Sequence, residues 1–163
     1  MPPLGEKGGI GMAFEIREYT KERIPDVVRF EKELREQEAD WGWEINEEYL
    51  QKVRASFEDP SFRDSISLLA CEGDRVVGRI DCSMIKSHFD GSVKAYLDWI
   101  CVLKDSRHRG AAQALLQELR RRLQARQVDT LIALTAANEE AQRFYRSVPR
   151  SLMRDTGIWI DVP

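Results

Sequence analysis

Residues 101–116 read Cys-Val-Leu-Lys-Asp-Ser-Arg-His-Arg-Gly-Ala-Ala-Gln-Ala-Leu-Leu. An apolar strand ends at Val102, a short polar turn follows, and Gly110 opens an amphipathic helix. Such a junction aims several backbone N–H groups, and the positive end of a helix dipole, at one place. The segment is therefore read as a phosphate cradle. Arg107 and Arg109 add charge, and Gly110, Ala111 and Ala112 are small enough to let a diphosphate come close. From Lys104 to Arg126, seven basic residues stand against two acids, in a chain of net charge −3. His108 lies inside the turn and offers its backbone N–H rather than its side chain.

Working outward, the apolar stripe Leu115, Leu116, Leu119 and Leu123 carries this helix to about Gln124. Before it, Ile66–Glu72, Arg75–Ile85 and Val93–Val102 alternate as strands and are joined by hairpins at Gly73-Asp74 and Asp90-Gly91. Phe14–Tyr19 is an edge-type strand, and Thr20 is placed to cap a helix running to Glu38. Asn46 caps a second helix to Phe57. After the Gly110 helix, Thr130–Thr135 reads as a central strand flanked on both sides. Asn138 caps a helix to Ser147, and a last strand is expected within Leu152–Val162. The strands on either side of the Gly110 helix must be parallel, because a helical crossover joins them. The fold class expected is α/β, a mixed and mostly antiparallel sheet with helices on both faces, in the order β-α-α-β-β-β-α-β-α-β. Residues 1–12, rich in Gly and Pro, are read as a flexible leader and 13–163 as a single domain.

Composition narrows the class. With 42% apolar and 33% charged residues the chain is an ordinary globular protein. Its negative balance argues against a nucleic-acid partner. No apolar run approaches the length of about 18 residues that a membrane span needs, and no signal peptide is apparent. Cys71, Cys82 and Cys101 are odd in number and lack a Cys-x-x-Cys spacing, so they read as reduced thiols of a cytoplasmic protein. The two histidines and the scattered cysteines do not make a metal ligand set, so no metal is expected.

Two motifs carry a resemblance to a known family. Arg107-His108-Arg109-Gly110-Ala111-Ala112 follows the pattern Arg/Gln-x-x-Gly-x-Gly/Ala. Further on, Asn138-Glu139-Glu140-Ala141-Gln142-Arg143-Phe144-Tyr145 follows Asn-x-x-Ala-x-x-Phe-Tyr. Over residues 14–162 the chain resembles the GNAT superfamily of acyl-CoA-dependent N-acetyltransferases. The resemblance implies acetyl-CoA as cosubstrate, its diphosphate held by residues 107–112. It implies that the parallel strands splay apart and that backbone groups of Ile100, Cys101 and Val102 pair with the pantetheine arm like an added strand. It makes Tyr145 the general acid that protonates the departing sulfur; by spacing alone Tyr145 would be a core residue one turn from Ala141. Asn138 divides between a helix cap and a pantetheine contact. Direct transfer without an enzyme nucleophile is the family norm, which leaves Cys101 structural. Asp98 is the candidate base for the incoming amine, directly or through water, with a paired surface carboxylate as the other reading; Tyr96 is a weaker alternative.

The acceptor side is read from charge. Between Glu31 and Glu48 eight acids face two bases, with Trp41-Gly42-Trp43 in their midst. In the family this region borders the acceptor pocket. Trp41, Trp43 and Glu44 therefore suit a cationic amine, a small molecule or a peptide, although a solvated helix face with two loop-closing tryptophans fits the pattern as well. The family commonly has Gly-Phe shortly after its Phe-Tyr; here Ser147-Val148-Pro149-Arg150 stands. That region shapes the acceptor site and homodimer contacts in the family. Three rivals remain: a non-catalytic acetyl-CoA-binding module or sensor, a transferase of longer acyl groups, and a purely structural interaction protein.

Overall fold

Adjacent residues of a strand point to opposite faces of its sheet, and Gly78 and Arg79 show how the layers assemble around that rule. The computed structural model describes residues 14–39, 42–154 and 157–162. Its strands are β1 (Glu15–Glu18), β2 (Ile66–Glu72), β3 (Arg75–Lys86), β4 (Val93–Val102) and β5 (Leu131–Ala133). Its helices are α1 (Ile24–Gln37), α2 (Glu47–Ser56), α3 (Ala111–Ala125) and α4 (Glu139–Ser147). A Cβ placed on Gly78 would lie 3.2 Å from the Leu115 side chain and 3.3 Å from the Cys101 carbonyl, so α3 presses directly on that face. Arg79 points the other way and pairs with Glu31 of α1. The sheet is thus covered on both sides, and its spatial order β1-β2-β3-β4-β5 is the sequence order. All neighbours are antiparallel except β4 and β5, which are parallel. The core is a single cluster that joins Leu68, Ile80 and Val102 of the strands to Phe30 and Leu34 of α1 and to Leu115 and Leu119 of α3.

The mixed, mostly antiparallel α/β architecture agrees with the sequence reading, and most boundaries fall where the turn and cap signals put them. Asn46 accepts from Tyr49 N at 2.9 Å and Asn138 from Ala141 N at 2.8 Å, so both caps form. Thr20 does not cap with its side chain; a 3-10 turn over Lys21–Arg23 intervenes before α1.

Two expectations need correction. No strand forms among the described residues of Leu152–Val162, where Ile158 and Trp159 are 82% and 76% exposed. Consequently β5 is an edge strand, not a central one. It is three residues long and offers an added strand few backbone partners. Gly157 of the tail lies close to Leu134, just past β5: a Cβ there would be 3.1 Å from the Leu134 side chain. The expected leader, residues 1–12, lies outside the described residues.

Candidate active site

The turn before α3 is built as a nest of donors. His108 and Gly110 both have positive φ, 60° and 93°, on either side of Arg109. This alternation turns successive peptide N–H groups to one side. The first helical bond of α3 runs from Ala114 N to the Gly110 carbonyl at 2.9 Å. Among the described residues, the six backbone N–H groups from His108 to Gln113 have no acceptor. They sit at the positive end of a fifteen-residue helix. Gly110, Ala111 and Ala112 leave that concavity free of bulky side chains.

The arginines of the turn, read from sequence as phosphate contacts, are both ion-paired within the fold. Arg107 forms a two-pronged pair with Glu38, at 2.9 and 2.7 Å, and its Nε donates to the Val102 carbonyl at 3.1 Å. It also lies 3.6 Å from Glu140. Arg109 pairs with Glu72 and stacks on Phe14, its guanidinium carbon 5.3 Å from the ring centre. Arg121 and Arg122 are paired with Glu118. The side-chain donors of Arg107 and Arg109 are thus engaged, while among the described residues the main-chain donors of the turn are not. The His108 side chain is exposed, with Nε2 3.6 Å from Glu140.

Beside the cradle, β4 and β5 separate at one residue. Ala95, Tyr96 and Leu97 pair with Leu131, Ile132 and Ala133, and there the ladder stops. On the other edge of β4, Trp99 stands opposite Asp81 and Leu97 opposite Cys82, so Asp98 is a bulge residue without a partner. A bulge bends and twists its strand, which here opens the parallel pair. Beyond it, no strand of the described residues neighbours Ile100, Cys101 and Val102 on the β5 side. Cys101 is buried, and burial pushes its thiol up to about 12, too high for a nucleophile at neutral pH. Tyr145 of α4 is half-buried; burial, and next the Tyr96 phenol, hold its own phenol above the ordinary tyrosine value. No described residue hydrogen-bonds the Tyr145 hydroxyl.

The other face carries a cavity of about 770 Å³ between α1, α2 and the sheet. Asp98 and Trp99 both line it, so the bulge forms part of its wall. Trp43 is on its wall and meets Trp99 edge to face at 5.8 Å. Glu44 is exposed and does not line it, and Trp41 lies outside the described residues. Glu18, Glu31, Asp59, Asp81 and Asp98 on the wall outnumber Arg63 and Arg79, which favours a cationic guest.

The sequence reading missed the centre of this wall. Glu31 was counted with an acidic surface, yet it is 1% exposed. Its Oε1 accepts from Tyr49 Oη at 2.6 Å and Arg79 Nη1 at 3.2 Å. Arg79 also holds Asp81, Nε to Oδ2 at 2.6 Å, and its guanidinium carbon stands 4.7 Å from the Tyr19 ring centre. The signal was present: Glu31 falls on the helical stripe of Ile24, Val27 and Leu34. Among the described residues no group of three or more His, Cys, Asp or Glu is arranged to hold a metal. Nor is any described helix long and apolar enough to cross a membrane.

A family model described as the acetyltransferase (GNAT) family matches residues 27–148. The chain belongs to the GNAT acetyltransferase family. It is accordingly an acyltransferase, and acetyl-CoA is the cosubstrate of its family. This GNAT protein is similar in fold to an aminoglycoside acetyltransferase from an uncultured soil metagenomic sample, solved with sisomicin. That match has 11% identity and a TM-score of 0.78, and covers 95% of this chain and 100% of the other. The aminoglycoside 6'-N-acetyltransferase of Acinetobacter baumannii aligns at 15% identity and TM-score 0.67, over 92% of this chain and 99% of the other. The ribosomal-protein-alanine N-acetyltransferase of Brucella melitensis biovar Abortus 2308 aligns at 15% and 0.68, over 91% and 99%. No curated protein sequence matches the chain. At these identities the likeness establishes the fold, and relatives with different acceptors share it.

Proposed function

We propose that this GNAT protein transfers the acetyl group of acetyl-CoA to a primary amine of a cationic small molecule or peptide, by direct attack in a ternary complex. The observation that carries the reading is, among the described residues, the row of six unpaired N–H groups at His108–Gln113, beside a β4 edge left without a partner at Ile100–Val102. The row suits a diphosphate, and the bare edge suits the amide-bearing arm of pantetheine. Side-chain charge contributes less, because Arg107 and Arg109 are neutralised by carboxylates of the fold.

The chemistry needs a base, an acid and no enzyme nucleophile. An ammonium group with a pKa of about 10 must lose a proton before it can attack. Asp98, without an ion-pair partner among the described residues and set on the cavity wall at the bulge, takes that proton directly or through water. The amine nitrogen bonds to the thioester carbonyl carbon, the carbon–sulfur bond breaks, Tyr145 gives the sulfur its proton, and the second proton shed by the nitrogen returns through water to the Tyr145 phenolate. A phenol held above its usual value keeps that proton through neutral pH, as a donor must. Asn138 uses Oδ1 to cap α4, which leaves its amide nitrogen for a pantetheine carbonyl. The acid-rich cavity suits a cationic acceptor, and the aminoglycoside acetyltransferases of like fold act on compounds of that kind. We assign the protein to the cytoplasm, a reducing compartment that suits its three free buried thiols.

The test is thiol release from acetyl-CoA over a panel of cationic, neutral and acidic amines. Turnover with cationic amines is expected to be fastest. Binding of acetyl-CoA without thiol release from any amine would favour the non-catalytic module, and indifference to coenzyme A would overturn the cradle.

A further inference from the structure

The helix that carries Tyr145 is lightly anchored. No residue of α4 is buried, and Phe144 and Tyr145 are only partly covered by the core. The Asn138 cap and the side-chain hydrogen bonds of Arg146, Ser147 and Ser151 all stay within the helix and the turn after it. Among the described residues, the hydrogen bonds and ion pairs that reach from α4 to earlier elements both belong to Glu140. Its Oε2 lies 3.6 Å from Arg107 Nη1 and its Oε1 lies 3.6 Å from His108 Nε2. One carboxylate thus straddles two consecutive residues of the cradle turn.

Charge alone does not account for this placement. Arg107 is already matched by both oxygens of Glu38, so Glu140 is a second carboxylate on one guanidinium, beside a site that suits an anion. Favourable interaction with the helix dipole needs an acid in the first turn, and Glu139 meets that need without reaching across to the cradle. Glu140 is 49% exposed, and an ion pair of that kind adds little to global stability. It is nevertheless well placed to bias a helix with no buried residue. The turn it grips is a firm support: Arg107 is fixed by Glu38 and by the Val102 carbonyl, and His108 opens the row of N–H groups.

We infer that Glu140 is a positioning residue that couples the cradle to α4, so that seating the cofactor diphosphate on His108–Gln113 fixes the helix and sets the Tyr145 hydroxyl at the thioester sulfur. The inference rests on the acetyl-transfer reading above. Tyr145 follows Glu140 by five residues, about 7.5 Å along the helix. A small tilt at Glu140 therefore displaces the hydroxyl, and a misplacement of about 1 Å can cost roughly 10²-fold in rate.

Two readouts test the coupling. In thiol release with the best amine of the panel, Glu140→Ala is expected to lower kcat by roughly fivefold or more, with the KM for acetyl-CoA within about threefold of the wild type. In a Tyr145→Phe background the same change is expected to alter kcat by less than about twofold, because Glu140 acts through the hydroxyl. An unchanged kcat overturns the coupling, as does an equal loss in both backgrounds. The second readout needs no acceptor: amide hydrogen exchange over residues 141–147, with and without coenzyme A. Coenzyme A is expected to slow that exchange about tenfold in the wild type and less than about threefold in Glu140→Ala. Wild-type exchange that coenzyme A leaves unchanged overturns the coupling, as does slowing that survives Glu140→Ala. Should that variant not fold, Glu140→Gln, which keeps the shape and loses the charge, takes its place in both readouts. Thiol release from no amine, with coenzyme A bound, would sink the transfer reading and leave the exchange readout to decide the coupling.

Discussion

Arg107 and Glu38 form a clamp between the end of α1 and the turn before α3. The guanidinium meets both carboxylate oxygens, at 2.9 and 2.7 Å, while its Nε holds the last carbonyl of β4. One side chain thus ties the strand end and the start of the cradle to the residue that ends α1. The sequence reading makes Arg107 a phosphate contact; in the structure its guanidinium is braced on Glu38 and the Val102 carbonyl.

Removing the brace should cost stability as well as cofactor affinity. Both side chains are mostly buried, and charge-assisted hydrogen bonds of this kind are worth about 2 kcal/mol. Arg107→Gln and Glu38→Gln are each expected to lower the thermal midpoint and raise the KM for acetyl-CoA. The double variant should lose clearly less than the two losses added, since either change alone breaks the pair. Chemical denaturation of the three variants checks this, and strict additivity would show that the pair does not act as a unit.

Tyr145→Phe tests the proton donor. General acid catalysis contributes roughly 10²- to 10⁴-fold, so kcat should fall within that range while calorimetric binding of acetyl-CoA holds. A phenol is neutral below its pKa, and burial raises that of Tyr145. The wild-type rate should therefore show no loss assignable to this group until the pH passes the ordinary phenol value of about 10. A decline near pH 8 that disappears in Tyr145→Phe would contradict the assignment.

Local signals made most of the architecture legible. Ile66–Glu72 and Val93–Val102 were bounded by Gly73-Asp74, by Asp90-Gly91 and by the start of the cradle, and α4 was bounded by its Asn138 cap; each was found as read. Those signals act within a few residues. What escaped depended on partners far along the chain. Glu31 is buried because Arg79, on another element, meets it. Asp98 is a bulge because of how β3 pairs opposite it. The expected last strand had the right composition, but the three-residue β5 gives it little to pair with. The turn before α3 and the Asn138 cap were legible from their motifs, whereas the burial of Glu31 was not, although it stands on an apolar helical face where a charge is itself the clue.

Gly110→Ala separates backbone strain from steric blockage. A Cβ at Gly110 would meet nothing within 4 Å, so space is not the issue. Its φ of 93° is, because a left-handed conformation costs an L-residue about 1–2 kcal/mol. The variant should fold, lose roughly that much stability, and bind coenzyme A several-fold more weakly as the N–H row loses its curvature. Full affinity in the presence of lowered stability would mean that the nest geometry is not what holds the diphosphate.

Glu31 gives the fold an unusual dependence on pH. Burial raises its carboxyl above the ordinary glutamate value, against the opposing pull of Tyr49 and Arg79. A group with a raised folded pKa binds its proton more tightly in the native state. Its contribution to stability is fully present below the unfolded value of about 4.3 and is lost as pH rises through the folded one. Glutamine at 31 does not titrate and has no such dependence. The stability of the wild type minus that of Glu31→Gln should therefore shift in favour of the wild type as the pH is lowered through this window, whatever its sign at neutrality. Urea melts at a series of pH values from 7 down to about 4 measure the difference directly. A difference that stays flat, or that moves in favour of the variant on acidification, would mean that Glu31 is not held with a raised pKa. The carboxylate would then be as well solvated in the native state as in the unfolded chain.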